Sequence, residues 1–311
     1  MRVKCIASDL FRYLEQESPM AGKVHSIFNE VINIITVTNE LITLISHKKT
    51  MAPMCLQLDF SKLLTTRLVS GDLVLLSNSR LEIPRLKITV VLEKMTIWNA
   101  DMDVENLIYE QDAFLKNAEI VREQLVKYGE HSSLLPLLSE IDKIAGYTGK
   151  TTISYCPSNT YTDFIEDVFV ELIQLLGHQN YEEASLLVPK IIGFGPGLTP
   201  STDDFLVGFV MTTYYFERMD GRNIVPITQF AQTVFQVSQT RTTTVSEAML
   251  KHASLGRIAE SHRALIQGIY GLNSLCLQTL TTNVLNNGAT SGTDFLFGMY
   301  CAQIVLLRRN I

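Results

Sequence analysis

The sequence predicts an α+β protein, in which an N-terminal antiparallel β sandwich or small barrel precedes a mainly α-helical C-terminal domain. Two observations support this class. Short segments rich in β-branched residues follow one another in the first hundred positions, and after residue 163 apolar residues recur at helical spacing. We therefore expect a β-rich domain over 1–100, connecting helices and a linker over 101–160, and a helical domain over 161–311.

Strands are expected between residues 24 and 98, where apolar and polar positions alternate. The segments are 31–37, 41–45, 55–58, 73–76 and 86–91. Turn sequences at 70–72 and 77–79 leave no room for a helical crossover between neighbouring strands, so antiparallel pairing is favoured over a parallel sheet.

Helices are expected in the rest of the chain. A helical pattern spans 104–128, and a polar stretch over 146–162 interrupts it. Beyond that stretch the predicted helices are 163–176, 181–190, 202–217, 227–238, 244–254, 258–271 and 292–307.

Composition excludes several classes of function. The net charge is −6 and Lys and Arg form no dense stripe, which argues against nucleic acid or an anionic membrane as the main partner. The five cysteines and six histidines lack the spacings of disulfide frameworks and metal sites, so we expect no metal and no cofactor. No apolar run is long enough for a membrane span, and a cytoplasmic location is expected.

The most informative segment is Gly-Phe-Gly-Pro-Gly-Leu-Thr-Pro-Ser-Thr-Asp-Asp at 193–204. Its glycines allow a ligand to approach backbone N–H groups, and the helix expected from about Ser201 adds its N-terminus. Asp203 and Asp204 would repel an anion at the helix end. The conflict is resolved if the loop N–H groups bind anionic oxygens while an acid accepts N–H bonds from an amide or ureido group of the same ligand. A capped connecting loop is the structural alternative.

A shortened copy of this segment follows ninety positions later, at 287–298. Ser201 matches Ser291, Asp204 matches Asp294, and Gly208 matches Gly298. The serine and acid have the spacing of a capping box, but capping does not explain glycine inside both helices. We expect the two helices to pack closely and bring both Ser/Asp ends to one cleft.

Arg241 is a second candidate, because it lies among hydroxyl side chains at the start of a helical pattern and can clamp an oxyanion. A solvated helix end is the alternative. The candidate catalytic residues are thus Asp203, Asp204, Arg241 and Asp294, and the candidate substrate- or phosphate-binding residues are Gly195, Gly197, Leu198, Thr199, Ser201, Thr242, Thr290, Ser291 and Gly292.

Three segments, taken in order, resemble the AllH family, which is named for a subunit of oxamate carbamoyltransferase. They are Gly-Pro-Gly-Leu-Thr-Pro-Ser with the following acids, Arg-Thr-Thr-Thr-Val-Ser, and Gly-Ala-Thr-Ser-Gly-Thr-Asp, at 195–204, 241–246 and 288–294. The paired strands up to Trp98 also resemble that family's N-terminal half. Thr202 departs from the family pattern, which has glycine there, and a side chain at this position is expected to crowd a ligand.

The resemblance implies phosphorolysis of oxalurate to oxamate and carbamoyl phosphate in anaerobic allantoin (purine) degradation, together with AllF-like and AllG-like subunits. Loop N–H groups and Arg241 would then hold anions and the developing oxyanion, while Asp204 or Asp294 orients the ureido N–H. Two alternatives stay open: a non-catalytic ligand-binding or scaffolding subunit, and a stand-alone enzyme for another carbamoyl or amide substrate.

Overall fold

The structure is a computed structural model that describes residues 2–59, 62–101, 104, 111–146, 158–270 and 274–308. The chain forms two compact units. One comprises Met1–Met102 with Arg257–Glu260, and the other comprises Asp103–Gly256 with Ser261–Ile311. The predicted α+β class is confirmed, since the first unit is built on a sheet and the second is helical.

In its described residues, the first unit contains nine strands and two α-helices. The strands are β1 Val3–Ala7, β2 Met20–Ile27, β3 Val31–Thr36, β4 Leu41–Ser46, β5 Cys55–Leu58, β6 Leu73–Leu76, β7 Arg80–Ile83, β8 Ile88–Val91 and β9 Thr96–Trp98. The helices are α1 Ser8–Glu17 and α2 Lys62–Arg67. All five predicted strand segments are present, whereas β1, β2, β7, β9 and both helices were not predicted.

The nine strands form one open, curled sheet in the order β8-β7-β6-β2-β3-β4-β5-β1-β9. Most neighbours pair antiparallel as predicted, but β4 pairs with β5 and β1 with β9 in parallel. The chain returns from β4 to β5 through 47–54 without a helix, and Gln57 donates to the Lys49 carbonyl at 2.9 Å across this connection. The sheet is therefore mixed and resembles a half-barrel.

The core of this unit follows from the alternation of the strands. Ile32 and Ile34 in β3 are fully buried, and so is Val74 in β6. Helix α1 adds Leu10 and Leu14, which lie on one face because they are four residues apart. This apolar core is the main stabilising feature of the unit.

The second unit contains ten helices in its described part. They are α3 Gln111–Tyr128, α4 Leu138–Ala145, α5 Thr160–Gly177, α6 Tyr181–Ile191, α7 Ser201–Met219, α8 Val225–Ser238, α9 Thr244–Ser254, α10 Glu260–Tyr270, α11 Ser274–Leu285 and α12 Ser291–Arg308. The seven predicted helices are confirmed with small shifts at their ends. Helix α11 was not predicted, since its Ser, Thr and Asn residues have low helix propensity. Part of the predicted helix over 104–128 and most of the polar stretch lie outside the described residues.

Helices α7 and α12 form the centre of this unit, and almost every residue of both is buried. They run in the same direction, because the serines and acids of their first turns contact each other, while Gly208 lies against the backbone of Phe295 and Gly298 against that of Phe205 further along both helices. A Cβ atom at either glycine would overlap the carbonyl oxygen of the opposite phenylalanine. The predicted close packing of the two helices is confirmed, and it places their N-termini side by side. In the part of the chain that the structure describes, no helix combines the length and the apolar character required to span a membrane.

Candidate functional site at the paired N-termini of α7 and α12

The glycine-rich loop joins α6 to α7, and its three glycines have different tasks. Gly193, Gly195 and Gly197 all have positive φ, at +74°, +125° and +86°. A Cβ at Gly193 would overlap the backbone of Arg241, and one at Gly195 would overlap the backbone of Ser201. Gly197 has open space around its Cα. Two glycines therefore allow close packing of the loop, and the third lies on its open side.

The backbone of this loop keeps several donors available. Among the described residues, none accepts a hydrogen bond from the N–H groups of Gly195, Gly197 or Leu198. The loop is partly exposed here, and it leads into the N-terminus of α7, whose partial positive charge attracts anions. The arrangement suits oxygen atoms of a phosphate or carboxylate.

Helix α7 begins differently from the predicted capping box. The N-cap residue is Pro200, without a side-chain capping bond, and Ser201 is already the first helical residue. Asp203 and Asp204 donate their own N–H groups to the Pro200 carbonyl, at 3.0 and 3.2 Å. Ser201 and Asp204 are thus not engaged in capping α7, and their side chains have other partners.

Thr202 supports the loop from behind. Its hydroxyl oxygen accepts the N–H of Phe194 at 3.1 Å and donates to the carbonyl of Ile191 at 2.6 Å. The side chain is fully buried. Thr202, which departs from the family pattern, therefore directs its side chain to the backbone of residues 191 and 194. These contacts give no support to the prediction that this side chain crowds a ligand.

Asp203 joins three segments of the chain. One carboxyl oxygen accepts the Gly193 N–H at 2.7 Å, and the other accepts the hydroxyls of Thr242 and of Ser246, the latter at 2.5 Å. Burial raises the pKa of Asp203, and these hydrogen bonds lower it in part. Both oxygens accept hydrogen bonds from the protein, so Asp203 connects the loop to the start of α9.

Asp204 and Asp294 form a reciprocal arrangement with the two repeated serines. The Ser291 hydroxyl on α12 faces the carboxyl of Asp204, and the Ser201 hydroxyl on α7 faces the carboxyl of Asp294, each lowering the pKa of the acid by hydrogen bonding. Each acid is thus paired with the serine of the other copy. Like Gly208 and Gly298, each of these residues contacts the other helix. The prediction that the two Ser/Asp ends lie together is confirmed.

Both acids are removed from water, with 2% of Asp204 and 0% of Asp294 exposed. The Oδ2 atom of each has no hydrogen-bond partner among the described residues. Burial raises the pKa of Asp294 to about 7, although the Leu134 N–H donates to its Oδ1 at 2.8 Å. Burial, followed by the charge of Asp294, raises the pKa of Asp204 well above its ordinary value, and the Thr199 hydroxyl lowers it in part. Two acids so close together do not ionise independently.

The remaining predicted residues of the two copies lie around this pair. The Thr199 hydroxyl lies 2.6 Å from the Ser291 hydroxyl, and the Leu198 carbonyl accepts the hydroxyl of Thr243. The Thr290 carbonyl accepts the Asp294 N–H at 2.9 Å. Gly292 packs against the backbone of α11, where a Cβ would overlap the Val284 carbonyl. Gly292 therefore has a packing role in this structure.

Arg241 is not brought to the acid pair. Its side chain is exposed, and a guanidinium nitrogen lies 3.4 Å from the Pro189 carbonyl, a weak contact. The backbone carbonyl of Arg241 packs against Gly193 of the glycine-rich loop. The structure thus joins the Arg241 segment to the glycine loop through backbone packing and through Thr242, without placing the guanidinium beside Asp204 or Asp294.

Two family models match the chain. One, described as oxamate carbamoyltransferase subunit AllH, matches residues 191–303, and the other, the AllH family N-terminal domain, matches residues 2–97. The chain belongs to the AllH family. No solved structure matches it. Both copies of the Ser/Asp segment and Arg241 lie within the first match, so the AllH match and the geometry converge on one region.

Two contacts of this AllH site were not predicted. The first is the hydrogen bond from the Leu134 N–H to Asp294, which comes from the segment before α4, outside both matched regions. A backbone donor requires no particular side chain, so nothing in the sequence indicated it. Ser246 was part of the quoted Arg241 segment but was not singled out; its distance of five residues from Arg241 gave no indication that it reaches Asp203. Among the described residues, no group of three or more metal-ligating side chains is present.

Proposed function

We propose that this AllH chain contributes the substrate site of an oxamate carbamoyltransferase complex, which converts oxalurate and phosphate to oxamate and carbamoyl phosphate. The observation that carries the proposal is the pair of buried carboxyl oxygens without partners, one on each of two adjacent helix N-termini beside a loop of available N–H groups. The reaction belongs to cytoplasmic allantoin degradation, and the partners are AllF-like and AllG-like subunits.

The reaction needs both kinds of group that this site offers. A phosphate oxygen attacks the carbamoyl carbon of oxalurate, the bond from that carbon to the oxamate nitrogen breaks, and the nitrogen takes up the proton that hydrogen phosphate releases. The N–H groups of Gly195, Gly197 and Leu198 suit the anionic oxygens of phosphate or of the oxalurate carboxylate. The free oxygens of Asp204 and Asp294 suit the N–H donors of the ureido group.

Positioning and electrostatic stabilisation then supply the rate, and no covalent nucleophile is required. Asp203 holds the loop against the segment that carries Thr242 and Ser246. Arg241 lies at the Pro189 carbonyl in this structure, so its contribution as an oxyanion clamp requires a different side-chain rotamer. The proposal therefore rests on the acid pair rather than on the arginine.

Asp204→Asn tests this function. We expect carbamoyl phosphate formation by the co-expressed subunits to fall by about 10²-fold in kcat, because the amide keeps the shape of the acid but neither ionises nor transfers a proton. The variant should fold and assemble like the parent chain. Asp220→Asn is the control, since Asp220 pairs with Arg222 on the exposed surface. Unchanged turnover in Asp204→Asn would show that the acid pair does not take part.

A non-catalytic ligand-binding subunit is the second candidate, and the exposed position of Arg241 away from the acids favours it. The same assay distinguishes the two. Full activity of the partner subunits without this chain would make it accessory, whereas loss of activity both without it and with Asp204→Asn assigns substrate binding or catalysis to this site.

A further inference from the structure

Asp204 and Asp294 each keep one buried carboxyl oxygen without a hydrogen-bond partner among the described residues. The two carboxyl groups are also contacted by the opposite serines, by Thr199 and Thr290, and by the Leu134 N–H, which donates to Oδ1 of Asp294, so the pair is fixed in position. The free atoms lie out of water, where an oxygen without a hydrogen-bond partner is energetically unfavourable. A ligand that bonds to both relieves this cost.

The charge of the pair is set by its surroundings. Asp203 is the other acid that acts on Asp204, and it too disfavours a second negative charge. On α10, His262 stacks edge-on against Phe295 with ring centres 4.2 Å apart, and burial lowers its pKa to about 4, so it is neutral at pH 7. Glu130, in the segment before α4, is exposed and reaches α12 through its backbone N–H. These neighbours supply no positive charge, so when Asp294 ionises near pH 7 its charge keeps Asp204 protonated, and the pair then holds one proton.

We infer that Asp204 and Asp294 together bind the primary amide end of a small ligand, the ionised acid accepting its N–H and the protonated acid donating to its carbonyl oxygen. This inference rests on the proposed function and specifies what the pair recognises in it. A primary amide carries a donor and an acceptor side by side, and a singly protonated pair of carboxyl groups presents the matching acceptor and donor.

The amide end and the anionic end of such a ligand bind to different parts of the site. A carboxylate or phosphate at the pair would bring a negative charge against an anion and would leave the ionised acid without a donor. Such groups belong at the loop N–H groups near Gly197, which lie on the open side. The acid pair thereby selects a primary amide over a carboxylate by the placement of donors and acceptors. Shape alone would discriminate less strongly between two groups of such similar size.

Direct binding by the full-length chain, alone and with AllF-like and AllG-like subunits, tests this. The probes are oxamate, N,N-dimethyloxamate, which keeps the carboxylate and carbonyl but has no N–H, and oxalate, in which a carboxylate replaces the amide. We expect calorimetry at pH 6.5 to give oxamate at least roughly tenfold tighter binding than either analogue. Equal binding of oxamate and N,N-dimethyloxamate, or no binding of oxamate in either state, would overturn the inference.

The pH dependence provides an independent readout. Asp294 ionises near pH 7 and its charge keeps Asp204 protonated, so the acceptor for the amide N–H forms as the pH rises and oxamate affinity should increase by roughly tenfold between pH 5.5 and 7.5. Asp204→Asn supplies a permanent donor and leaves Asp294 as the acceptor, so its affinity should stay near the parent value and increase with pH in the same way. Asp204→Leu should lose the preference for oxamate. An affinity of the parent chain that is constant with pH contradicts the inference.

These results separate the inference from the proposed function. Selective oxamate binding that depends on Asp204, together with unchanged carbamoyl transfer in Asp204→Asn, would uphold the amide site and reject its part in turnover. Loss of turnover in Asp204→Asn without any preference for oxamate over N,N-dimethyloxamate would do the reverse.

Discussion

At the scale of single residues, neighbouring acids have different tasks because their side chains point to different partners. Asp203 has both oxygens occupied by the loop and the start of α9, whereas the carboxyl of Asp204 contacts Ser291 of α12 and keeps one oxygen without a partner among the described residues. The sequence Asp-Asp alone did not distinguish them. A helix turns by about 100° per residue, so two adjacent acids cannot face the same neighbour, and this separates the positioning residue from the ligand-binding candidate.

The raised pKa of Asp294 predicts that stability falls as pH rises. In the folded chain its pKa is about 7, against an ordinary value of 3.8, so between these values the folded state binds more protons than the unfolded state. The free energy of unfolding should therefore drop by on the order of 2 kcal/mol from pH 5.5 to 7.5 through this group. Urea unfolding at both pH values, followed by circular dichroism, measures the change.

Asp294→Asn provides the comparison for this prediction. The amide cannot ionise, so the free energy of unfolding of the variant should fall much less between pH 5.5 and 7.5 than that of the parent chain. Asp220→Asn, at the surface, should keep the parent behaviour. A parent chain and an Asp294→Asn variant with the same pH profile would refute a proton-linked role for this acid.

At the scale of elements, the close approach of α7 and α12 sets the geometry of the site. Gly208 and Gly298 bring the two backbones into direct contact, and the same ninety-residue relation connects the serines and acids one to two turns earlier. The helix packing and the site thus form one reciprocal unit. A change in the separation of the helices moves Ser201 away from Asp294 and Ser291 away from Asp204 together.

Gly208→Ala and Gly298→Ala should therefore destabilise the chain to similar extents. Each methyl group would overlap the opposite phenylalanine carbonyl, and we expect a loss of about 1–3 kcal/mol or more, together with weaker oxamate binding. Gly177→Ala at the end of α5 is the control, because its Cβ meets no atom within 4 Å and its backbone has no positive φ. Denaturant unfolding gives the values. Tolerance of alanine at both central glycines would contradict the close packing.

The sequence predicted this pair of helices well because its evidence was local. The repeated Ser, Asp and Gly positions lie within eight residues of each other in each copy, and period and spacing suffice to place them on helices. What the sequence did not reveal depends on contacts between distant segments. The Leu134 N–H reaches Asp294 from 160 positions away, and Thr242 reaches Asp203 across 39.

The sheet shows the same division between local and distant information. Strands such as β3 and β4 were predicted because alternation marks them and a short turn joins them. Strand β1 pairs with β5 and β9, far along the chain, and its short sequence gives no sign of that register. The parallel pairs were missed for the same reason, since strand direction in a sheet is decided by the path of the connections.

At the scale of the whole molecule, the two AllH models leave residues 98–190 unmatched, yet this part of the chain supports the site. Helices α3 and α4 lie here, and so does Leu134, which donates to Asp294. The N-terminal unit, with its own core, carries none of the predicted site residues. The candidate function therefore belongs to the helical unit, and its unmatched segment is part of what positions α12.

A buried ion pair in that segment provides the last prediction. Arg122 on α3 is 2% exposed and binds Asp142 on α4 at 2.6 Å, while the Tyr300 hydroxyl on α12 donates to the same carboxyl at 2.9 Å. Asp142→Asn leaves the buried guanidinium without that carboxylate and should cost about 3–5 kcal/mol in denaturant unfolding. Asp220→Asn, whose ion pair is partly exposed, should cost less than about 1 kcal/mol.

A double variant tests the same ion pair. Arg122→Met with Asp142→Leu should regain most of the stability, because two apolar side chains replace the buried guanidinium that Asp142→Asn leaves without its carboxylate. If Asp142→Asn were as mild as the surface control, α3 and α4 would not depend on this pair for their attachment to α12.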